Sequence, residues 1–556
     1  MRKIRQLLSY VIIGLLLQPV LAQEPTIVEI RKAGGSRQDQ ERFPGANILI
    51  RSAKERVNLF HEGALIVSDL SYFYSKKNFF KAEGEVVFTQ GDSLKLTCDY
   101  IEYDGKTKKA IAWGDVFLEQ PDMTLRTDTL YLNRSENKAF YNTKGIIVDS
   151  TSTLTSNRGI YFMDEKKYRF LSNVKIDNPE YKITSEQLDY FTQLNQAYLY
   201  GPSNIVGETY EILCERGFYD TENQKGIFKK NATIFYDNKI ISGDSLYFEN
   251  SRNYAAATNN ISIIDSLNNS VIQGHYGEIY KAKDSAIITK RALAINIVEE
   301  DSLFIHADTL IAIGPEDNRI LKGYYDVRIL KEDIRGKSDS IHLNQSTGLI
   351  KLLKKPLSKK QNQVLTNAQR NLINPILWFG ASQMTGDEIF LISNLQTKKL
   401  DSLKIIGNAF VIEKDTLSSD GYNQIKGGVL NGALIDGVLD NIDVIKNTEV
   451  IYYLYSDTDQ ELIGIDKTTC SALNMTFFEN EIEDITFLVS PEGNVFPEEE
   501  LPLNERSLKG FIWREEERPN TVDDLFSEAD KQLVFPAIRV FSGPVKKIPD
   551  KLLKEK

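Results

Sequence analysis

The sequence predicts an all-β protein built from repeated units of two strands. Three observations lead to this prediction: the composition, the alternation of side chains and a recurring spacing. The 556 residues include 27 Phe and 26 Tyr but only 16 Pro, and aromatic residues are enriched in strands. Apolar and polar positions alternate with a period of two, as in half-buried strands. One short phrase returns about every 29 residues, which is typical of repeat architectures.

The repeated phrase opens with a residue that is usually acidic and continues with alternating apolar and aromatic residues. Its first copy starts at Asp69, and the steps to the next six copies are 30, 29, 29, 29, 29 and 29 residues. Those copies start at Asp99, Asp128, Asn157, Glu186, Glu215 and Asp244. Less regular copies lie near His275 and at Asp308, Asp339, Asp387 and Asp420. Because the acidic residue recurs once per unit, we expect it to cap a turn or an edge rather than to act in catalysis.

Each unit contains a second strand-like phrase about fifteen residues downstream of the first. This phrase opens with Gly or Asn, which tolerate the positive φ of a turn or bulge. Its copies open at Gly84, Gly114, Gly145, Asn173, Asn231 and Asn260. Polar segments between the phrases, such as residues 104–109, are predicted turns. Each unit therefore makes two strands and two turns, and we expect no helix of useful length before residue 360.

Composition and charge exclude several classes of protein. With 41% hydrophobic residues the chain has enough apolar material for a core, which a disordered chain lacks. The formal net charge of −11 argues against nonspecific binding of nucleic acid. HExxH, CxxC, GxSxG and P-loop motifs are absent from the sequence. We therefore expect no enzymatic activity and no cofactor, and we interpret the four histidines as isolated side chains on strands rather than as metal ligands.

Three cysteines are too few for a disulfide framework in a chain of this length. Cys98 and Cys214 take the same place in units that are four repeats apart. At about 4.8 Å per unit they would lie roughly 19 Å from each other, which exceeds the ~7 Å reach of a disulfide. We therefore predict free thiols, with Cys470 as the third.

The amino terminus predicts export from the cytoplasm. Arg2, Lys3 and Arg5 precede an apolar run at residues 7–17, and Val20-Leu21-Ala22 supplies the residues of a cleavage site. We interpret residues 1–22 as a signal peptide, since the apolar run is too short to span a bilayer. The predicted location is the periplasm, with association with the outer membrane as a further expectation. Residues 23–45 are predicted to be a flexible leader.

The remainder divides into four predicted segments. Residues 46–350 form the main β block, residues 351–375 a basic connector, residues 376–490 a second β block and residues 491–556 an irregular, proline-containing tail. The connector contains Lys351, Lys354, Lys355, Lys359 and Lys360. Its lysines favour either a solvated linker or a patch that meets the phosphates of a lipid head group. Within the tail, residues 523–530 are predicted to form one short helix, and residues 546–556 a mobile basic end.

The repeat places a set of apolar side chains on two inner faces of the predicted stack. Leu130, Leu132, Leu188, Leu246 and Phe248 would lie on one face, and Val116, Leu118, Ile234 and Ile263 on the other. These side chains could form an ordinary packed core, or they could line an interior that holds a long apolar ligand. Both arrangements require the same inward pattern, so the sequence leaves both open.

The ordered set of phrases resembles the OstA-like family, which includes the periplasmic lipopolysaccharide-transport protein LptA and the amino-terminal domain of the translocon LptD. The resemblance rests on the Gly-Asp-Ser-Leu phrases at residues 91–94 and 243–246, the Asp-x-Leu-Tyr phrases and the Gly-x-Val strands. Residues 376–387 and 422–427 are similar to the long OstA-like proteins of Bacteroidetes-type bacteria. The resemblance covers roughly residues 45–490.

The resemblance implies an open, twisted β-jellyroll whose hydrophobic groove shields the acyl chains of lipid A. It further implies transport of lipopolysaccharide across the periplasm, and pairing with other Lpt-type proteins or with further copies head to tail through strand edges. The resemblance implies no catalytic residues, no cofactor and no binding of nucleic acid. The groove residues expected on this basis are Ile101, Tyr103, Val116, Leu118, Leu130, Leu132, Leu188, Tyr190, Leu246 and Phe248.

Two further classes of function compete with this expectation. A secreted structural or adhesion protein would have the same repeats but a filled core. A polysaccharide lyase or hydrolase on a parallel β-helix would also repeat, but its acidic and basic residues would cluster on one sheet face. The acidic residues of this chain recur once per unit, which disfavours the enzyme.

Overall fold

The computed structural model describes residues 27–533 except 93, 298–301, 316–317, 398, 457 and 479–480. The predicted signal peptide and the basic end at residues 546–556 lie outside the described residues. The chain divides into two compact units, Met1–Glu208 and Thr209–Lys556. This division falls inside the segment 46–350 that the sequence predicts as one block. Both units consist mainly of antiparallel strands, which confirms the all-β prediction.

The described residues of unit 1 form seventeen strands, β1 to β17. Their bounds are β1 Glu29–Lys32, β2 Gly35–Arg37, β3 Asn47–Ile50, β4 Val57–His61, β5 Ala64–Ser68, β6 Leu70–Tyr74, β7 Phe79–Gln90, β8 Leu94–Asp104, β9 Lys109–Gln120, β10 Met123–Asn133, β11 Lys138–Tyr141, β12 Gly145–Asp149, β13 Thr153–Ser156, β14 Arg158–Phe162, β15 Lys167–Asp177, β16 Tyr181–Phe191 and β17 Gln196–Gly207.

Unit 2 continues with strands β18 to β36 and three short α-helices. The strands are β18 Tyr210–Asp220, β19 Lys225–Tyr236, β20 Lys239–Glu249, β21 Tyr254–Asp265, β22 Ser270–Tyr280, β23 Ser285–Asn296, β24 Leu303–Ile313, β25 Ile320–Leu330, β26 Ile334–Asn344, β27 Leu349–Leu353, β28 Ile376–Phe379, β29 Ser382–Thr385, β30 Glu388–Ser393, β31 Leu400–Lys414, β32 Tyr422–Ile435, β33 Val438–Tyr455, β34 Leu462–Phe478, β35 Glu481–Leu488 and β36 Glu492–Phe496. The helices are α1 Lys359–Val364, α2 Asn367–Leu372 and α3 Glu528–Lys531. No helix among the described residues is long and apolar enough to cross a membrane.

The repeat of about 29 residues corresponds to two strands and two turns, as predicted. Strands β8 and β9 with their two turns make one such unit, and each pairs antiparallel with its neighbours along the chain. The two sequence phrases are halves of longer strands, however. Gly84, which was expected to open a strand, lies in the middle of β7. The ladder continues through it because two residues of β7, at 84 and 85, lie opposite one residue of β8, at 99.

The mid-strand bulge explains both the glycine and the acidic residue of the repeat. Gly114 and Asp115 of β9 have φ values of 81° and 45°, so both are in the left-handed region. A Cβ on Gly114 would lie 2.7 Å from Oδ2 of Asp99, which leaves no room for a side chain. In the bulge of β21, formed by Asn259 and Asn260, the second residue bonds the acid: Nδ2 of Asn260 donates to Oδ1 and Oδ2 of Asp244 at 3.1 and 3.0 Å. The acidic residue therefore lies in the middle of a strand, opposite a bulge, and not at the turn or edge that the sequence predicts.

The bulges divide each unit into two layers of half-strands. We call the layer that contains residues 86–90 and 94–98 of unit 1, and residues 261–265 and 270–273 of unit 2, the lower layer. The upper layer contains residues 79–83 and 100–104 of unit 1, and residues 254–258 and 276–280 of unit 2. Turns at the free ends of the half-strands form a lower row and an upper row. Upper turns are linked by backbone hydrogen bonds, as from Lys281 N to the carbonyl of Asn253 at 3.0 Å.

The predicted leader and the predicted connector both differ from expectation. Residues 29–37 of the leader form β1 and β2, because their backbone groups complete ladders with β4 and β3. Residues 351–375 do not separate two blocks, because β26 pairs with β27 before this segment and with β28 after it. The second block, residues 376–490, therefore continues the sheet of unit 2. The segment leaves that sheet, forms α1 and α2, and returns to it.

The predicted irregular tail begins with a strand, β36, which pairs with β34; its other described residues, up to 533, contain only short helices and irregular segments, and they pack against the sheet. Leu501 and Leu508 pack in a cluster with side chains of β31, β33 and β34. Leu525 and Phe526 pack against side chains of β20 to β23 and β25. The predicted short helix at 523–530 is a 3₁₀ helix at Val522–Leu525 followed by α3. The tail thus covers an apolar face of the lower layer that is opposite to the interior.

The three cysteines are free and buried, as predicted. Cys98 and Cys214 are 5% and 4% exposed, and each takes the place just before the residue opposite a bulge. Burial raises the pKa of both thiols to about 12.

Candidate functional site: cavities between the two layers

The groove residues expected from the sequence point inward, but most of them lie in filled parts of the interior. Nine of the ten are no more than 5% exposed. These nine are Ile101, Tyr103, Val116, Leu118, Leu130, Leu132, Leu188, Leu246 and Phe248. Tyr190 is half-buried and, like Leu132, it lines a cavity of unit 1. The structure therefore places two of the ten beside open interior space.

A largely apolar interior space lies in unit 2. We call it the alanine cavity, after Ala286, Ala294 and Ala312 in its wall. Aliphatic side chains from both layers complete the wall: Ile263, Ile272 and Ile305 from the lower layer and Ile279, Leu321 and Leu343 from the upper layer. Its volume is about 1030 Å³ including the open mouth. Because half-strands of both layers contribute, the layers face each other across this space.

A second space, the wide cavity, adjoins the alanine cavity. The two share Asn296, Leu303, Ile305, Leu343 and Gln345 in their walls. The wide cavity has a volume of about 1680 Å³ including its mouth. Its other aliphatic wall residues are Leu267, Ile297, Ile329, Ile334, Ile341, Ile350, Leu391, Leu395 and Leu400. Together the two cavities form a run of apolar space from β20 to β31.

The alanine cavity exists because small side chains replace large ones at inward positions. In the upper layer, Ala286 is opposite both Ile279 and Ala312. The corresponding row of unit 1 is Tyr103, Ala110 and Leu132, all buried, so Ala286 has a counterpart in Ala110 and the side chain that is smaller in unit 2 is Ala312. The sequence predicts an inner-face position for Ile263, but it does not predict the cavity beside the alanines of β23 and β24. Alanines also occupy inward positions of unit 1, so alanine alone does not indicate open space.

The cavities of unit 1 are more polar. One, the tyrosine cavity, is lined by Tyr161, Tyr168, Tyr181 and Tyr190 together with turn residues such as Asp122. Tyr161 and Tyr168 stack with ring centroids 4.3 Å apart. Burial raises the pKa of Tyr168 above its ordinary value, and the neighbouring Tyr161 and Asp122 raise it further. Burial also raises the pKa of Tyr161, so the phenols of Tyr161 and Tyr168 remain neutral at ordinary pH.

Aromatic side chains close the alanine cavity on the β20 side. The ring of Phe248 lies 4.7 Å from that of Tyr210 and 6.3 Å from that of Tyr236, centroid to centroid. Tyr236 also lines the cavity. Phe248, expected as a groove residue, is therefore part of the packed end of the cavity.

Ion pairs join the two rows of turns beside the alanine cavity. We call the line along which lower and upper turns meet the seam. Lys281, on an upper turn, lies 3.1 Å (Nζ) from Oδ2 of Asp237 on a lower turn. Burial alone would lower the pKa of Lys281, but the hydroxyl of Tyr236 and the carboxylate of Asp237 raise it overall. Arg319 pairs in the same sense with Asp265, and their side chains are 13% and 6% exposed.

Unit 1 has a matching arrangement at its first turns. Glu62, on the turn between β4 and β5, pairs with Lys108 of an upper turn at 2.8 Å. Arg134 of the next upper turn donates to the carbonyl oxygen of Glu62 at 3.0 Å and to the hydroxyl of Tyr103 at 3.0 Å. In both units, a basic residue of an upper turn thus reaches a lower turn across the seam.

Two lysines of the predicted connector have partners within the protein. Nζ of Lys354 lies 2.8 Å from Oδ1 of Asp387. Nζ of Lys351 lies 5.6 Å from the ring centroid of Phe390. The reading of this segment as a site for head-group phosphates stays a prediction.

Comparison with known proteins bears on the amino-terminal part of the chain. Residues 26–186 match a family model described as OstA-like protein. This match confirms the resemblance that the repeated phrases indicate. The search of curated proteins found no match.

One similar solved structure is described as LptH, the LptA-homologous periplasmic component of the conserved lipopolysaccharide transport device from Pseudomonas aeruginosa. The sequences are 18% identical, and the alignment covers 18% of this chain and 76% of that chain. The TM-score is 0.17.

Proposed function

We propose that this protein binds lipopolysaccharide in the periplasm, shields the acyl chains of lipid A between its two layers and helps to bridge the inner and outer membranes. The observation that carries the proposal is the run of aliphatic cavity formed by the alanine cavity and the wide cavity. The match of residues 26–186 to the OstA-like family supports the same reading.

The cavities offer acyl chains a dry environment. Burial of a methylene group is worth about 0.8 kcal/mol, so a dozen methylenes would contribute on the order of 10 kcal/mol before the entropic cost of binding. The wall residues Ile305, Leu321 and Leu343 are hydrocarbon throughout. The favourable term is thus the hydrophobic effect, and it requires no particular chain length or branching of the ligand.

The seam is the proposed route by which an amphiphilic lipid enters the interior. An acyl chain that enters sideways between the turn rows leaves its head group at the seam, beside Lys281 and Arg319, whose side chains are 36% and 13% exposed. Ammonium and guanidinium groups bind phosphate well, Arg by two parallel hydrogen bonds. We propose that lipid head groups travel along the seam while their acyl chains occupy the interior.

Strand edges at the two ends of the chain are the proposed contact sites for Lpt-type partners or further copies. Strands β1 and β2 pair on one side with β4 and β3, and no described strand pairs with their other sides. Strands β35 and β36 each pair with β34. An unpaired edge can accept a strand from another chain. This mode would align interiors end to end.

The second candidate function is a structural or adhesion role. It is favoured by the packing of unit 1, which contains eight of the ten expected groove residues: seven of these eight are described as no more than 5% exposed, and Leu132 and Tyr190 line cavities. Such a protein would bind no lipid in unit 2 either.

A cavity-filling experiment separates the two. We expect Ala294→Phe and Ala312→Phe to place a ring in the alanine cavity and to lower the lipid recovered by extraction and mass spectrometry of the purified protein. Ile227→Phe is the control, since Ile227 is 42% exposed on the outer surface. Two outcomes would refute the proposal: recovery of equal amounts of lipid from all variants, or recovery of no lipid from folded wild-type protein.

A further inference from the structure

His306, Asp308 and Asp530 converge where the tail meets the sheet. His306 and Asp308 lie two residues apart on β24, and Asp530 lies on α3 of the tail. One ligand atom from each of the three lies within 4.8 Å of the others. Nε2 of His306 is 3.5 Å from Oδ2 of Asp530, longer than a good N–H···O bond.

The hydrogen bond of His306 determines which of its ring nitrogens can bind a metal ion. Nδ1 of His306 lies 2.8 Å from the carbonyl oxygen of Ala292. A carbonyl can only accept, so Nδ1 carries a proton, and the nitrogen that is left to bind a metal ion is Nε2. That nitrogen is buried and has no hydrogen-bond partner, and the residue is 0% exposed. An imidazole nitrogen and two carboxylates therefore face one another.

The neighbouring arginines are engaged elsewhere. Arg328 donates to Oδ2 of Asp326 at 3.0 Å and to the carbonyl of Asp524 at 2.8 Å. The guanidinium of Arg291 lies over the ring of Phe526, 4.5 Å from its centroid. Neither arginine donates a hydrogen bond to the three residues in the described contacts, although Arg328 is close enough to lower the pKa of Asp308 against the raising effects of burial and Asp530.

We propose that these three residues bind a divalent transition-metal ion of the zinc class. One imidazole nitrogen and two carboxylate oxygens are donors that Zn²⁺ accepts, with water completing the coordination. The Nδ1 bond to a backbone carbonyl is the usual outer contact that orients a metal-binding histidine. The ion would tie the tail to β24 and thereby hold Leu525 and Phe526 against the sheet.

This site goes beyond lipid binding and was invisible in the sequence. The isolated-histidine interpretation treated His306 as a strand residue without ligand partners. Asp530 lies more than 200 positions away along the chain, so spacing gave no signal. Only the return of the tail across the lower layer brings it to His306.

Zinc binding to the tag-free full chain tests the proposal. After chelator treatment, we expect isothermal titration with Zn²⁺ to show one equivalent bound, and hydrogen exchange of residues 520–533 to slow on binding. His306→Gln and Asp530→Asn should weaken binding at least tenfold and abolish the slowing. His342→Gln, which alters a half-buried histidine outside the cluster, should bind like the wild type.

Two results would overturn the proposal. One is the absence of stoichiometric zinc binding to a folded wild-type protein, which would leave a protonated His306 paired with Asp530 as the function of the cluster. The other is zinc binding that is equally strong in His306→Gln, which would place the ion elsewhere. Since lipid recovery is not part of the readout, failure here would leave the lipid proposal unaffected.

Discussion

The smallest recurring device in this protein is the pair formed by a bulge residue and the acidic residue opposite it. At Gly114 the backbone is left-handed and Asp99 occupies the space a Cβ would need. At Asn260 the amide satisfies Asp244 directly. The recurring acidic residues could be taken for catalytic carboxylates. Their contacts with the bulges give them a structural role instead, once in each repeat.

Replacement of Gly114 by Ala should therefore lower the free energy of unfolding by more than the strain of a left-handed backbone alone would. We expect Gly114→Ala to destabilise the protein by about 2–4 kcal/mol, and Gly63→Ala by about 1–2 kcal/mol. Both glycines have positive φ, but a Cβ on Gly63 would meet no atom within 4 Å. Urea unfolding of each variant measures this difference. Addition of Asp99→Ala to Gly114→Ala should restore part of the loss; equal losses in the two single variants would contradict the steric explanation.

Because of the buried thiols, the free energy of unfolding should depend on pH in the alkaline range. Burial raises the pKa of Cys98 and Cys214 to about 12, whereas an unfolded cysteine titrates near 8.5. Their stabilising contribution is therefore complete below about pH 8.5 and is lost as the pH rises toward 12. We expect the free energy of unfolding to fall by up to about 1.4 kcal/mol per pH unit per thiol in this window. The Cys98→Ala variant should show a shallower slope; an unchanged slope would exclude the thiol as its source.

At the scale of elements, the tail is held by two buried glutamines. Gln383 accepts from Arg514 N at 2.7 Å and donates to the carbonyl of Ile512 at 2.8 Å. Gln424 accepts from Leu508 N at 2.8 Å and donates to the carbonyl of Arg506 at 2.9 Å. Each amide thus binds the tail backbone as a neighbouring strand would.

Loss of either glutamine should loosen the tail without unfolding the strands. We expect Gln383→Ala or Gln424→Ala to leave tail backbone groups unpaired at a cost of about 1–3 kcal/mol, and to speed proteolysis and hydrogen exchange of residues 501–533. The control is Gln396→Ala, since Gln396 lies exposed in a turn. Unchanged exchange in both glutamine variants would mean that the apolar contacts alone hold the tail.

The seam ion pairs make a prediction about ligand access. If acyl chains enter between the turn rows, the pairs Lys281–Asp237 and Arg319–Asp265 must separate. We expect Lys281→Gln with Arg319→Gln to speed the loading of a fluorescent acylated probe several-fold. Arg252→Gln is the control, because Arg252 pairs with Glu249 at the same upper turn, not across the seam. Loading that is slower or unchanged in the double variant would argue against access through the seam.

At the scale of the whole molecule, the sequence predicted the class of fold and the period well. Both depend on local alternation and on turn residues, which are visible in a single chain. The bulge in the middle of β7 was mistaken for a strand start, because a left-handed pair of residues looks like a turn in sequence. The leader strands β1 and β2 were missed because they are short and polar, and only their ladders with β4 and β3 order them.

The candidate site was harder to predict than the fold. Inward residues such as Leu188 and Leu246 were identified correctly as buried, but burial does not distinguish a filled interior from an open one. That distinction depends on side-chain volume summed across facing layers, as at Ala286, Ala294 and Ala312. The tail contacts depend on a return of the chain that no local pattern encodes.

Photo-crosslinking in cells tests the central proposal most directly. A photoreactive phenylalanine analogue would replace Ile305 or Leu321 in the wall of the alanine cavity, and Ile227 on the outer surface as the control. We expect crosslinks to lipopolysaccharide from Ile305 and Leu321 and none from Ile227. Folded protein without a crosslink at either cavity position, or with equal crosslinking at Ile227, would contradict the proposal that the interior carries lipid.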